Sequence, residues 1–193
     1  GKSLLKEVAD LDALPVGADN VRGNGGSSER NTTANIDIVS KTDKSGIDII
    51  IKPGTKNESV HIPVILSQSG MKEMVYNDFY VGEDCDVTIV AGCGIHNCGG
   101  GDSAHDGLHR FFVGKNAKVR YVEKHYGEGD GRGKRVMNPT TEVHLEEGAS
   151  MVLEATQISG IDDTLRKTIA TLAENATLEV QEKVLTTGEQ NAV

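Results

Sequence analysis

One template recurs four times in this chain, over residues 81–89, 113–121, 145–153 and 172–180. Each copy begins with an apolar residue, followed by two mostly polar or small ones. Then come Asp, Asn or Gly and a small residue, and the copy ends x-apolar-x-apolar. The small residue is Cys85, Ala117, Ala149 and Ala176, so the copies are spaced 32, 32 and 27 residues apart. Asp, Asn and Gly tolerate the left-handed backbone of a tight turn. The small residue fits where the chain turns inward against a neighbour, and the alternating pair is a strand with one buried face. A period of this length means stacked units, none able to bury its core alone. Strand units of this kind build an all-β solenoid. A set of hairpins sharing a turn by chance is the competing reading, disfavoured by four matches at near-equal spacing.

Composition agrees. There are 23 glycines, seven aromatics and no tryptophan, and apolar residues make up 37%. So much glycine disfavours a helical bundle. Few large rings imply thin aliphatic layers. The formal charge of −9 argues against nonspecific nucleic-acid binding, which demands a basic face. No apolar run is long enough for a membrane helix, and no signal peptide is visible. Three cysteines make no disulfide framework, so reduced thiols and a cytoplasmic location are expected.

Residues 3–14 have helical spacing of Leu4, Leu5, Val8 and Leu11, with Ser3 as cap and Pro15 as stop. Residues 16–33, rich in Gly, Asn, Ser and Asp, read as a loop or linker. The expected division is therefore an N-terminal helix and linker over 1–34, and a solenoid over 35–193. Strand patterns begin at Ile36 and continue through Ile47–Ile51, the Pro53-Gly54 turn and the alternation from Val60 to Leu66.

Chemistry concentrates in residues 93–109. Cys93, His96 and Cys98 form C-x2-H-x-C, and His105 and His109 follow as H-x3-H. Thiolate and imidazole suit zinc, iron or an iron–sulfur cluster. Gly94 and Gly99 to Gly101 would let the backbone turn several ligands to one point. Asp102 and Asp106 are candidates to orient a ligand histidine. The spacing fits no standard zinc module, so the alternative is a glycine-rich loop with solvated histidines and cysteines packed as small apolar residues. A redox or persulfide-accepting thiol at Cys93 or Cys98 is a further option. Cys85, at the small-residue position of its repeat, is expected inside. Glu123 and His125 share one face of a strand. A solvated face is the default reading for them; stacking of coils in register would bring them towards residues 93–109.

Lys115, Lys118, Arg120, Lys124, Arg132, Lys134 and Arg135 are the only basic concentration, a candidate surface for an acidic partner, though scattered exposed charge is the commoner explanation. The glycine-alternating stretch 127–133 lacks the Gly-Lys-Ser/Thr ending of a P-loop and reads as an inter-coil loop. No nucleophile elbow is present.

These segments resemble the core of the SufB/SufD proteins, scaffold subunits of the SUF iron–sulfur cluster assembly system. The resemblance lies in Gly92-Cys93, Leu108-His109 and the run from Lys115 to Tyr121 (Lys-Asn-Ala-Lys-Val-Arg-Tyr), and in the spacing between them. It is strongest over residues 81–153. The resemblance implies a right-handed parallel β-helix and a non-enzymatic scaffold role, with an iron–sulfur cluster held transiently and a SufC-like ABC-type ATPase as partner. In that family further coils and a C-terminal helical region follow, which dock the ATPase and carry a cysteine and a His-Glu-rich segment tied to cluster assembly. The present sequence has no positions matching those, so the chain is expected to be a solenoid interrupted before its end, open to self-association through its strand edge. The alternatives are a zinc- or iron-binding protein or enzyme on a β-helix, with Cys93, His96, Cys98, His105 and His109 as ligands, and a purely structural interaction module.

Overall fold

The computed structural model describes residues 17–24, 26–67, 70, 72–96, 99–129, 133–157, 160–185 and 189–193. The helix expected over residues 3–14 and Cys98 lie outside these. The described residues contain fourteen strands and no helix.

The strands form two seven-stranded sheets. One holds β1 (Gly17–Gly23), β2 (Gly26–Asn31), β5 (Lys56–Leu66), β7 (Asp86–His96), β9 (Lys118–Glu128), β11 (Ser150–Gln157) and β13 (Thr177–Val184). The other holds β3 (Ile36–Ser40), β4 (Gly46–Ile51), β6 (Lys72–Val81), β8 (Ser103–Val113), β10 (Arg135–Leu145), β12 (Asp163–Leu172) and β14 (Glu189–Ala192). Consecutive strands from β4 onward alternate between the sheets, and next-but-one strands pair in parallel. This is a β-solenoid, the architecture the repeat predicts. At the N-terminal end each sheet finishes in an antiparallel pair, β1 with β2 and β3 with β4.

The repeat period is the coil. Val87, Val119, Met151 and Leu178 are register partners on β7, β9, β11 and β13. The turn residues Asp84, Asn116 and Asn175 have φ of 56°, 57° and 60°, and Gly148 has 69°. The turns also stack. Asp84 N–H donates to Lys115 O at 2.9 Å, and Asn116 N–H to Glu147 O at 3.1 Å. Gly114 must be glycine, since a Cβ there would sit 2.7 Å from the Glu83 nitrogen one coil below. Cys85 is 1% exposed, as expected, and its thiol donates to Lys52 O at 3.1 Å.

An earlier coil belongs to the same series. Gly54 has φ of 76°, Thr55 is buried beneath Cys85, and Asp86 N–H donates to Thr55 O at 2.8 Å. A bulge at Asn57 (φ 56°) shifts the register between Lys56 and Glu58, which breaks the spacing that marks the later copies.

Within the stretch read as a loop or linker, Gly17–Gly23 and Gly26–Asn31 are strands. β1 lies parallel to β5 within the sheet. Its inward residues are Ala18, Asn20 and Arg22, all buried. Arg30 Nε donates to Asn20 Oδ1 at 2.9 Å, and Arg22 pairs with Glu73 at 3.3 Å. Polar side chains satisfied inside the solenoid gave this strand the composition of a loop.

The interior has two regions. One is aliphatic and aromatic, with Phe79 stacked on Phe111 at 4.4 Å and both rings fully buried. Towards the other end of the same strands the interior turns polar, and there the candidate site lies. No helix among the described residues is long and apolar enough to cross a membrane.

Candidate functional site

The described cysteine and histidines in 93–109 lie on strands rather than on a loop. β7 carries Cys93 and His96; β8 carries His105 and His109. Side chains three apart on a strand face opposite ways. Cys93 therefore points inward, 3% exposed. His96 points outward, where its Nδ1 meets Glu128 at 3.1 Å with its side chain 40% exposed. The C-x2-H spacing thus separates the two ligands it was expected to join. His105 and His109, four apart, share the inward face of β8.

Cys93, His105 and His109 line one small cavity of about 20 Å³, together with Glu123 and His125 of β9 and Asn77 of β6. Cys93 and His125 are register partners on adjacent strands. Glu123 and His125 are 3% and 4% exposed, so the default reading of a solvated strand face does not hold. Their sequence signal was the shared face two residues apart; their burial follows from the in-register stacking.

Each histidine is held by a second group. His105 Nδ1–H donates to Glu73 Oε1 at 2.8 Å. His125 Nε2–H donates to Glu123 Oε1 at 2.8 Å. His109 Nδ1 shares a hydrogen bond of 3.0 Å with the Tyr121 hydroxyl. The acids are held in turn. Glu73 pairs with Arg22, and Glu123 Oε2 accepts from Arg166 Nη1 of β12 at 2.9 Å. Asp102 and Asp106 do not orient a histidine. Asp102 accepts from the Lys134 amide, and Asp106 from the Asn138 side chain.

Burial dominates the electrostatics. It pushes the Cys93 thiol well above its ordinary range, and the Glu73 and Glu123 charges push the same way. Burial and the neighbouring His105 and His125 lower His109 to about 4, against the pull of Glu123. His125 is lowered chiefly by burial, although Glu123 opposes the shift. For Glu123, burial alone would raise the carboxyl; Arg166 and the histidines outweigh it and hold it well below the usual range. Glu73 is lowered too, its bond from His105 and the Arg22 charge outweighing burial. Near neutral pH the resting interior therefore holds a protonated thiol, neutral rings at His109 and His125, and two paired carboxylates. Among the described residues, no three histidine, cysteine or carboxylate side chains stand close enough to hold a metal ion as they are.

The chain is 26% identical over 118 residues to an iron–sulfur cluster assembly SufBD family protein of Methanocaldococcus jannaschii. The match covers 61% of this chain and 36% of that relative, so the chain spans little more than a third of the relative's length. No protein-family model matches the chain. The similarity is distant and partial. It agrees with the resemblance carried by Gly92-Cys93, Leu108-His109 and the run from Lys115 to Tyr121. Two of these blocks contribute cavity residues directly: Cys93 on β7, and His109 on β8 under the Tyr121 hydroxyl of the third.

Proposed function

We propose that this chain takes part in iron–sulfur cluster assembly, as a scaffold component on which iron and sulfide are held transiently. The observation that carries this reading is Cys93. It is a buried thiol placed where the aliphatic and aromatic interior gives way to the polar one, lining a cavity with three histidines, in a chain distantly similar to a SufBD family protein. Iron and sulfide are cargo here, not a resident group. A buried thiol resists ionisation, but a bound iron stabilises the thiolate and releases the proton. The His105–Glu73 and His125–Glu123 pairs offer nearby acceptors for it. Cys98 follows two residues beyond the end of β7 and is the natural second thiol.

The expected partner is an ABC-type ATPase of the SufC kind, whose cycle would move the scaffold to admit or release the cargo. Self-association is proposed through β13. Its inward residues Val180 and Val184 are 43% and 52% exposed, although their register partners Leu153 and Gln157 are buried. A clean monomer by light scattering at high concentration would reject the self-association.

The deciding experiment is anaerobic reconstitution with ferrous iron and sulfide. A sulfur-to-iron charge-transfer absorption should develop and be lost in Cys93→Ser. If the unmodified chain develops none under conditions where a SufB/SufD scaffold does, the reading fails.

A further inference from the structure

The three inward histidines share a pattern that cluster assembly does not require. In His105 the carboxylate fixes the proton on Nδ1, so in the neutral ring the lone pair is on Nε2. In His125 the carboxylate fixes the proton on Nε2, so the lone pair is on Nδ1. That Nδ1 is buried and has no hydrogen-bond partner. In His109, whose Nδ1 meets the Tyr121 hydroxyl, the lone pair is on Nε2 in the tautomer that donates Nδ1–H, the one that metal binding would select. The Nε2 atoms of His105 and His109 converge over Gly107. A Cβ built on that glycine would lie 3.6 Å from the first and 3.3 Å from the second. Gly107 lines the same cavity as His125 and Cys93.

A histidine whose one nitrogen is held by a carboxylate or phenol, with the other left over, is the usual form of a metal-binding imidazole. Three of them around one cavity, one with a buried orphan nitrogen, are difficult to explain by packing. An imidazole without a partner costs stability when buried.

We infer that His105, His109 and His125 form a binding site for one divalent transition-metal ion, zinc or ferrous iron, with the Cys93 thiol as fourth ligand. As they stand no three of these groups are close enough to hold an ion, so binding requires the rings to turn together over Gly107, where the Nε2 atoms of His105 and His109 already meet. Glu73, Tyr121 and Glu123 are positioning residues, which orient the rings and do not touch the metal. The ion suits this set because imidazole and thiolate prefer zinc and iron over magnesium or calcium. The inference shares Cys93 with the cluster-assembly reading but differs from it: it names a single resident ion, and three of its four ligands are histidines.

The test is titration of metal-free protein with cobalt(II) as the spectroscopic probe, without sulfide. One equivalent should bind, with the intense visible bands of a tetrahedral site and a sulfur-to-cobalt band in the near ultraviolet. Cys93→Ser should remove the sulfur band and keep binding. His125→Ala should weaken binding at least a hundredfold. Tyr121→Phe, a milder change that preserves packing, should weaken it about 10- to 100-fold. The surface variant His144→Ala should leave it unchanged. Failure of folded protein to bind one saturable equivalent overturns the inference. So does full affinity in both His125→Ala and Tyr121→Phe, with folding checked by circular dichroism. Cobalt binding without cluster formation on reconstitution rejects only the scaffold reading. Cluster formation without a one-equivalent cobalt site rejects only this one.

Discussion

Arg166 on β12 reaches across the interior and bonds Glu123 on β9 at 2.9 Å, both side chains less than a tenth exposed. The two residues are 43 apart in sequence and belong to different sheets. The pair therefore ties the two sheets together across the polar half of the solenoid. It also fixes the carboxylate that orients His125.

Breaking the pair from one side leaves a buried charge without compensation. Arg166→Ala should cost about 3–5 kcal/mol, read as a lower midpoint in urea denaturation. Adding Glu123→Gln should recover part of that loss, because the stranded charge is gone. A double variant no more stable than Arg166→Ala alone would show that the pair matters by packing rather than by charge.

Acidification should destabilise the fold from two sources with the same sign. His109 is lowered from 6.5 to about 4 by burial. The unfolded chain therefore binds the extra proton first, and this contribution is complete above pH 6.5 and lost as pH falls towards 4. It amounts to about 3 kcal/mol at most. Glu123 and Glu73 are lowered from 4.5, so their contributions are lost at still lower pH. The melting temperature should fall between pH 7 and pH 4.5, and His109→Asn should flatten that slope. A melting temperature constant over this range would contradict the buried neutral His109.

The turn positions separate backbone from side-chain effects. Asn116 sits at φ of 57° between stacked turns. Replacement by Ala should cost about 1–2 kcal/mol, since a Cβ is penalised in the left-handed region. Replacement by Gly should be nearly neutral, and Val should be worst. Equal effects of Ala and Gly, measured by chemical denaturation, would mean that the Asn side chain rather than the backbone angle is what matters there.

The solenoid was legible because its turn demands a left-handed residue and a small one at every coil. Asp84-Cys85, Asn116-Ala117, Gly148-Ala149 and Asn175-Ala176 record that demand directly. The coil at Gly54-Thr55 escaped because the Asn57 bulge alters its spacing. β1 escaped because its inward Asn20 and Arg22 are paired inside rather than solvated. At the site, Cys93, His105 and His109 were legible as chemistry close together in sequence. Strand alternation then removed His96 to the outside. The groups that hold the histidines and their carboxylates were not legible, because Glu73, Arg22 and Arg166 meet their partners across separations of 32 to 51 residues. Only coil stacking brings them near.

Access to Cys93 is the last measurable consequence. The thiol is 3% exposed and burial holds it protonated, and only the thiolate reacts with alkylating reagents. At pH 8 in native protein, Cys93 and the equally buried Cys85 should remain unmodified by a bulky maleimide long after a free thiol has reacted. Peptide mapping by mass spectrometry would locate the label. Sub-denaturing urea should switch on Cys93 before Cys85, because Cys93 borders a cavity while Cys85 is wedged under a stacked turn. Prompt native labelling of Cys93 would show that the interior already opens to solvent. Labelling only with global unfolding would show that the cavity beside Cys93 stays closed to reagents in the folded chain.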